Sequence, residues 1–213
     1  MVTGRERLAV AARGGDVDRK PMIFTRENSP EADGIVRPWC GEGEEGQAQL
    51  WAVDSPFSRA MREGFDLNDA LQSDPAAGEQ ALNSYADEAR REMMEALEGG
   101  ADGIFYRLDG AFPDASTPME YGGHYLEMDR MLLGEVQEAR FNLVWVAGER
   151  ELYLDFVSDL PAHALGWSMS RTGVGVEELR PMRDGALAGD AEEADIYVFD
   201  SVVAARERLG ARN

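Results

Sequence analysis

The stretch from Leu82 to Gly110, LNSYADEARREMMEALEGGADGIFYRLDG, restricts the possible folds of this chain more than any other. Leu82, Tyr85, Ala86, Ala89, Met93, Ala96 and Leu97 recur at three- and four-residue steps and form one apolar helical stripe. Gly99-Gly100 then stops the helix, because glycine tolerates the left-handed backbone that closes a helix C-terminus. Gly103 to Leu108 follows as a short apolar strand ending at Asp109-Gly110. A long amphipathic helix, a glycine stop and a buried strand make one repeat of an α/β barrel or doubly wound sheet.

Other units continue the pattern on both sides. Thr3-Gly4-Arg5-Glu6 fits a capping box and predicts a helix through Arg13, followed by an apolar strand at Pro21 to Phe24. Residues 25–49 are polar, glycine-rich and without a period, which predicts a long loop. A strand is predicted at Leu50 to Val53. Thr117-Pro118-Met119-Glu120 combines an N-cap, an N1 proline and a glutamate three residues past the cap, so a helix to about Ala139 is expected. Strands follow at Phe141 to Ala147, Ala164 to Ser168 and Gly185 to Asp190, with helices near Leu152 to Val157 and Val176 to Met182. Ala194, Val198, Val202, Ala205 and Leu209 stripe a final helix. About six strands in one domain, 1–213, are expected.

Charge and composition narrow the function. Asp+Glu number 41 against 21 Lys+Arg, a net charge of −20, and Lys20 is the one lysine. Such a field repels nucleic acid and anionic membranes, so neither is expected as a partner. No apolar run approaches the ~20 residues that cross a bilayer. MVTGRERLAV lacks the apolar core of a signal peptide, which makes a cytoplasmic location the expectation. The single cysteine, Cys40, excludes an internal disulfide and gives little support to a cysteine-based metal site. Arginine remains available to bind carboxylates in a bidentate manner.

TGRERLAVAARGGDVDRKPMIF, SPFSRAMREG, DPAAGEQALNSYADEARREMMEALEGGADGIF and HALGWSMSRTGVGVEELRPMRDGALAGD occur in this order along the chain. The series resembles the uroporphyrinogen decarboxylase superfamily, which also holds corrinoid- and zinc-dependent methyltransferases. The resemblance implies a TIM-barrel-like α/β fold. It implies an incomplete barrel, since blocks for family strands two and eight have no counterpart, the first gap falling in the 25–49 loop. Open sheet edges are pairing liabilities, so a homodimer covering them is expected. The implied ligand is an acidic or tetrapyrrole-type small molecule and the implied activity a carboxy-lyase. The alternatives are a non-catalytic ligand-binding or partner subunit of a corrinoid methyltransferase system, and a methyltransferase with an atypical site. The family's His-x-Cys zinc motif would fall at Ala147-Gly148-Glu149, where neither ligand type stands, so no metal and no cofactor are expected.

In such a barrel the C-terminal strand ends carry the chemistry. Asp109 and Arg107 are therefore the catalytic candidates: a carboxylate able to act as base or acid, beside an arginine where the family places a serine. Arg26, Arg62, Trp167, Ser168, Arg171 and Asp190 are the substrate-binding candidates. Trp167, Ser168 and Arg171 would supply an aromatic wall, a hydroxyl and a carboxylate clamp. Asp190, following Gly189, is also placed to N-cap the final helix, which is the favoured reading of that residue. His124, on a predicted helix, and His163, just before a strand, suit packing better than catalysis.

Overall fold

The computed structural model describes residues 2–190 and 196–199. Seven strands run parallel: β1 (Met22–Phe24), β2 (Gly34–Arg37), β3 (Ala48–Asp54), β4 (Gly103–Leu108), β5 (Leu143–Val146), β6 (Ala164–Trp167) and β7 (Ala186–Gly189). The expected TIM-barrel-like α/β fold is present, and among the described residues its parallel set stops one strand short of eight. A short antiparallel strand, β8 (Ile196–Phe199), fills that place between β7 and β1 and closes the ring.

Two expectations are corrected. The 25–49 segment contains β2, and Val198 belongs to β8 rather than to a helical stripe; Ala194, Val202, Ala205 and Leu209 of that stripe lie outside the described residues. Each strand therefore has two neighbours, and the edge-covering reason for a dimer loses its premise. Periodicity could not find β2, because it is four residues long and is followed by a connection, 38–47, with no helix. A different signal was available. Ala32-Asp33-Gly34-Ile35 repeats Ala101-Asp102-Gly103-Ile104, the start of the clearest strand.

The organising helix is α4 (Pro75–Glu98). It starts seven residues before Leu82, with Asp74 capping and Pro75 in the first turn, and ends at the expected glycines. Its buried residues Leu82, Ala86, Ala89 and Met93 pack on the outer face of the sheet. The preceding helices are α1 (Gly4–Ala12), α2 (Pro56–Glu63) and α3 (Leu67–Ser73). Both capping boxes form, at Thr3 and Thr117. The helix from Pro118 is interrupted: α5 (Pro118–Glu120) widens into a π turn at Tyr121–Tyr125, which contains Gly122-Gly123, before α6 (Leu126–Glu135). Short helices α7 (Leu154–Val157), α8 (Met169–Thr172) and α9 (Val176–Leu179) complete the outer layer.

Strand alternation divides the core in two. Phe105, Leu143, Ala164, Ala186 and Ile196 fill the barrel, with Leu8 of α1 joining them. Ile104, Tyr106, Val144, Leu165 and Trp167 point outward beneath the helices.

The N-terminal end of the barrel is stitched by side chains at the strand starts. The amides of Met22, Gln49, Ile104 and Asn142 donate to Asp33 (2.9 Å), Asp102 (3.0 Å), Asn142 Oδ1 (2.9 Å) and His163 Nδ1 (2.9 Å), each at the start of the next strand or paired segment. Asp33 is further held by Arg7 and Arg19, and Asp102 by Arg5 at 2.9 Å. His163 must be neutral to accept at Nδ1, and burial lowers its pKa in keeping with that.

Candidate functional site

At the opposite end the strands finish around a cavity of about 280 Å³. Inward alternation delivers Arg107 two residues after Phe105 on β4, and Ser168 and Asp190 just past the ends of β6 and β7. Arg26 follows β1, and Arg171 comes from α8; both line the same space. An aromatic wall formed by Phe105, Trp145 and Trp39 faces these polar groups. Phe105 and Trp145 stack with ring centroids 6.4 Å apart, and Trp39 meets Phe105 edge-on at 5.6 Å.

Among the described residues lining the cavity, Asp190 is the one carboxylate. It accepts from Ser168 Oγ at 2.6 Å, from the Ser170 hydroxyl and from the Ser170 amide at 3.1 Å. Burial pushes its pKa up, but these hydrogen bonds outweigh that and hold it below the usual carboxylate range. Asp190 is thus an ionised acceptor that fixes α8. Ser168 caps α8, its Oγ accepting from the Arg171 amide at 3.3 Å, while the start of the final helix that Asp190 was expected to cap lies outside the described residues.

Arg107 and Asp109 form a pair, Nε to Oδ2 at 3.0 Å. Asp109 does not line the cavity; it holds Arg107 from behind. Burial raises its carboxyl, the Arg107 charge opposes the rise, and nearby Asp54 adds to it. Ser58 fastens this strand end, accepting from the Asp109 amide at 2.6 Å and donating to the Arg107 carbonyl at 3.1 Å. Arg62 reaches the same charged cluster through Asp54, but it lines a neighbouring cavity of about 380 Å³ rather than the mouth.

Trp167 is a correction. Its neighbour Ser168 faces the mouth, and consecutive residues at a strand end must point to opposite faces. Trp167 is fully buried in the outer layer, where Nε1 donates to the Val174 carbonyl at 2.9 Å. The aromatic wall expected from Trp167 is supplied instead by Phe105, Trp145 and Trp39, none of which stood among the site candidates. Counting alternation back from Arg107 would have found Phe105. Gly166 makes room for Trp145, since a Cβ there would lie 2.8 Å from the indole.

His163 is at the N-terminal end of the barrel, as expected, and His124 is exposed on the π turn. Among the described residues no three His, Cys, Asp or Glu side chains gather where they could hold a metal ion. No described helix is long and apolar enough to cross a membrane. A larger cavity, about 730 Å³, opens on the barrel flank beside α4, where the helix-free β2–β3 connection leaves Trp51 and Arg37 uncovered. It is remote from the strand ends and carries charges of both signs.

These features define an α/β barrel whose C-terminal mouth is lined by arginines and aromatic rings. No family model matches the chain, and no curated protein does. Among solved structures, a methyltransferase from Methanosarcina mazei superposes with a TM-score of 0.71 at 13% identity, over 88% of this chain and 82% of that one. At that identity the likeness establishes the barrel fold alone.

Proposed function

We propose that the barrel mouth binds a small anionic organic molecule with a planar body, and that the chain is a ligand-binding member of a methyltransferase-related fold. One observation carries this reading. Arg26, Arg107 and Arg171 line one mouth in a chain of net charge −20, and among the described residues Asp190 is the one carboxylate that lines it with them. Guanidinium groups bind carboxylates and phosphates bidentately, and the ring faces beside them suit a flat apolar body. The cavity, about 280 Å³, is at the small end of the usual range of ~300–1,000 Å³ for ligand sites. That size favours a single-ring acid over a whole tetrapyrrole.

Carboxy-lyase activity would need a proton donor at the ligand. Asp190 is held ionised and Asp109 is engaged with Arg107, so binding without decarboxylation is the favoured form of the proposal. Methyl transfer remains the alternative that the structural neighbour brings forward. Calorimetric titration with benzoate and with uncharged benzamide tests the reading. Benzoate is expected to bind and benzamide not. Arg107→Gln should weaken benzoate binding ~10–100-fold, the loss of a charged hydrogen bond worth about 1.5–3 kcal/mol. Equal binding of the two probes, or none, would sink it.

A further inference from the structure

The β2–β3 connection does not cross the barrel flank as a helix; its first residues turn over the mouth. The turn is held at several points. The Cys40 amide donates to the Val36 carbonyl at 3.0 Å and the Gly41 amide to the Pro38 carbonyl at 3.1 Å. The Cys40 thiol donates to the Phe24 carbonyl, at the end of β1, at 3.2 Å. Asn28, from the preceding loop, donates to the Glu42 carbonyl at 3.2 Å. This scaffold presents Trp39.

Trp39 has a placement that packing alone does not explain. It is 41% exposed, so the core does not require it. Trp39 lines both the mouth cavity of about 280 Å³ and a second cavity of about 380 Å³. On the far side stand Arg59 and Arg62 with Asp54, Glu63 and Glu92, Arg59 paired with Glu92 and Arg62 with Asp54. On the near side its edge rests on Phe105 at 5.6 Å and 75°. A rigid ring fixed through its backbone, between two spaces that each contain arginine, is a partition.

We infer that Trp39 sets the length of the acid that the mouth accepts. Planar monocarboxylates short enough to remain on the Phe105 side fit; rigid acids whose far end would enter the Arg62 cavity are excluded by the indole. The inference rests on the mouth-binding reading and goes beyond it by naming the residue that limits ligand size. Removing the indole joins the two cavities, and a second acidic group at the far end of a long ligand would then compete with Asp54 for Arg62.

The test is calorimetry with benzoate, biphenyl-4-carboxylate and biphenyl-4,4′-dicarboxylate on the wild-type chain, Trp39→Ala and Trp39→Phe. Trp39→Ala should improve the binding of both biphenyl acids relative to benzoate at least tenfold, whereas Trp39→Phe should keep most of the wild-type preference. In the Trp39→Ala background, Arg62→Gln should weaken the dicarboxylate and leave the monocarboxylate unchanged. Thermal melts accompany each variant. A Trp39→Ala chain that melts as wild type and keeps the wild-type ratio overturns the inference, while benzoate binding that still depends on Arg107 leaves the mouth reading standing. If Trp39→Ala lowers the melting temperature and weakens all three acids alike, Trp39 is structural and the inference falls. No binding of any acid to any form removes both.

Discussion

The two ends of the barrel use the same residue types for opposite purposes. At the N-terminal end Asp33 and Asp102 are buried, each accepts a strand amide, and each is matched by arginine from the segments around α1. Arg183 is buried there as well, with its guanidinium donating to the carbonyls of Ser158, Leu160, Ala162 and Ala186. At the C-terminal end Arg107 commits one nitrogen to Asp109 and still lines the cavity, and among the described residues the carboxylate paired with Arg171 is an exposed Glu149 at 3.6 Å. Charge that is fully satisfied holds strands in register; charge left facing a cavity is available to a ligand. A TIM barrel divides stability from function along its axis in this way.

The comparison breaks most visibly at Arg183. Arg183→Ala leaves several buried carbonyls without a donor, each worth about 1–3 kcal/mol, so a loss of roughly 3–5 kcal/mol is expected in urea unfolding. A loss below about 1 kcal/mol would mean that the N-terminal end is not the stabilising one.

Asp129 sharpens the contrast from the flank. It is buried like Asp33, but its partners are the hydroxyls of Tyr106 at 2.6 Å and Tyr121 at 3.2 Å, with no guanidinium among the described residues. Burial raises its pKa to about 7, against which the tyrosine hydrogen bonds act. A raised carboxyl pKa favours the folded state below the unfolded value of 3.8, and that stability is lost as pH rises through about 7. Asp129→Asn should therefore be more stable than wild type at pH 8, by a few kcal/mol, because each tenfold change in proton affinity is worth about 1.4 kcal/mol. The difference should shrink toward pH 4. Urea midpoints across that range that move in parallel for the two proteins would refute the assignment.

The smallest effect is expected at the mouth rim. Arg171→Gln removes an exposed charge, so stability should change by less than about 0.5 kcal/mol. Affinity for benzoate should fall several-fold and become less sensitive to salt. Unchanged affinity would restrict the anion site to Arg26 and Arg107.

Much of the scaffold was legible in the chain because its signals are local. The stripe from Leu82 to Leu97, the Gly99-Gly100 stop, the Thr3 and Thr117 boxes and the strand from Gly103 to Leu108 each depend on neighbours a few residues away. Of the site candidates, Arg26, Arg107, Ser168, Arg171 and Asp190 gather at one cavity, because strand ends were a sound guide to where side chains would meet. Trp167, Arg62 and Asp109 show where that guide stops. A strand end has two faces, and a helix residue near the mouth can face a neighbouring space.

The sequence by itself determined that helices and buried strands alternate, that the surface is acidic, and which segments begin and end the regular elements. These follow from backbone conformation and the spacing of apolar residues. Only the tertiary structure decided that β2 lies inside the polar segment, that an antiparallel β8 closes the ring, that Trp167 turns away while Trp145 and Trp39 turn in, and that Arg107 faces the mouth with Asp109 behind it. The reason is physical. Closing a ring brings together residues more than a hundred positions apart, such as Arg26 and Asp190, and their contacts depend on strand register and tilt, which no local pattern encodes.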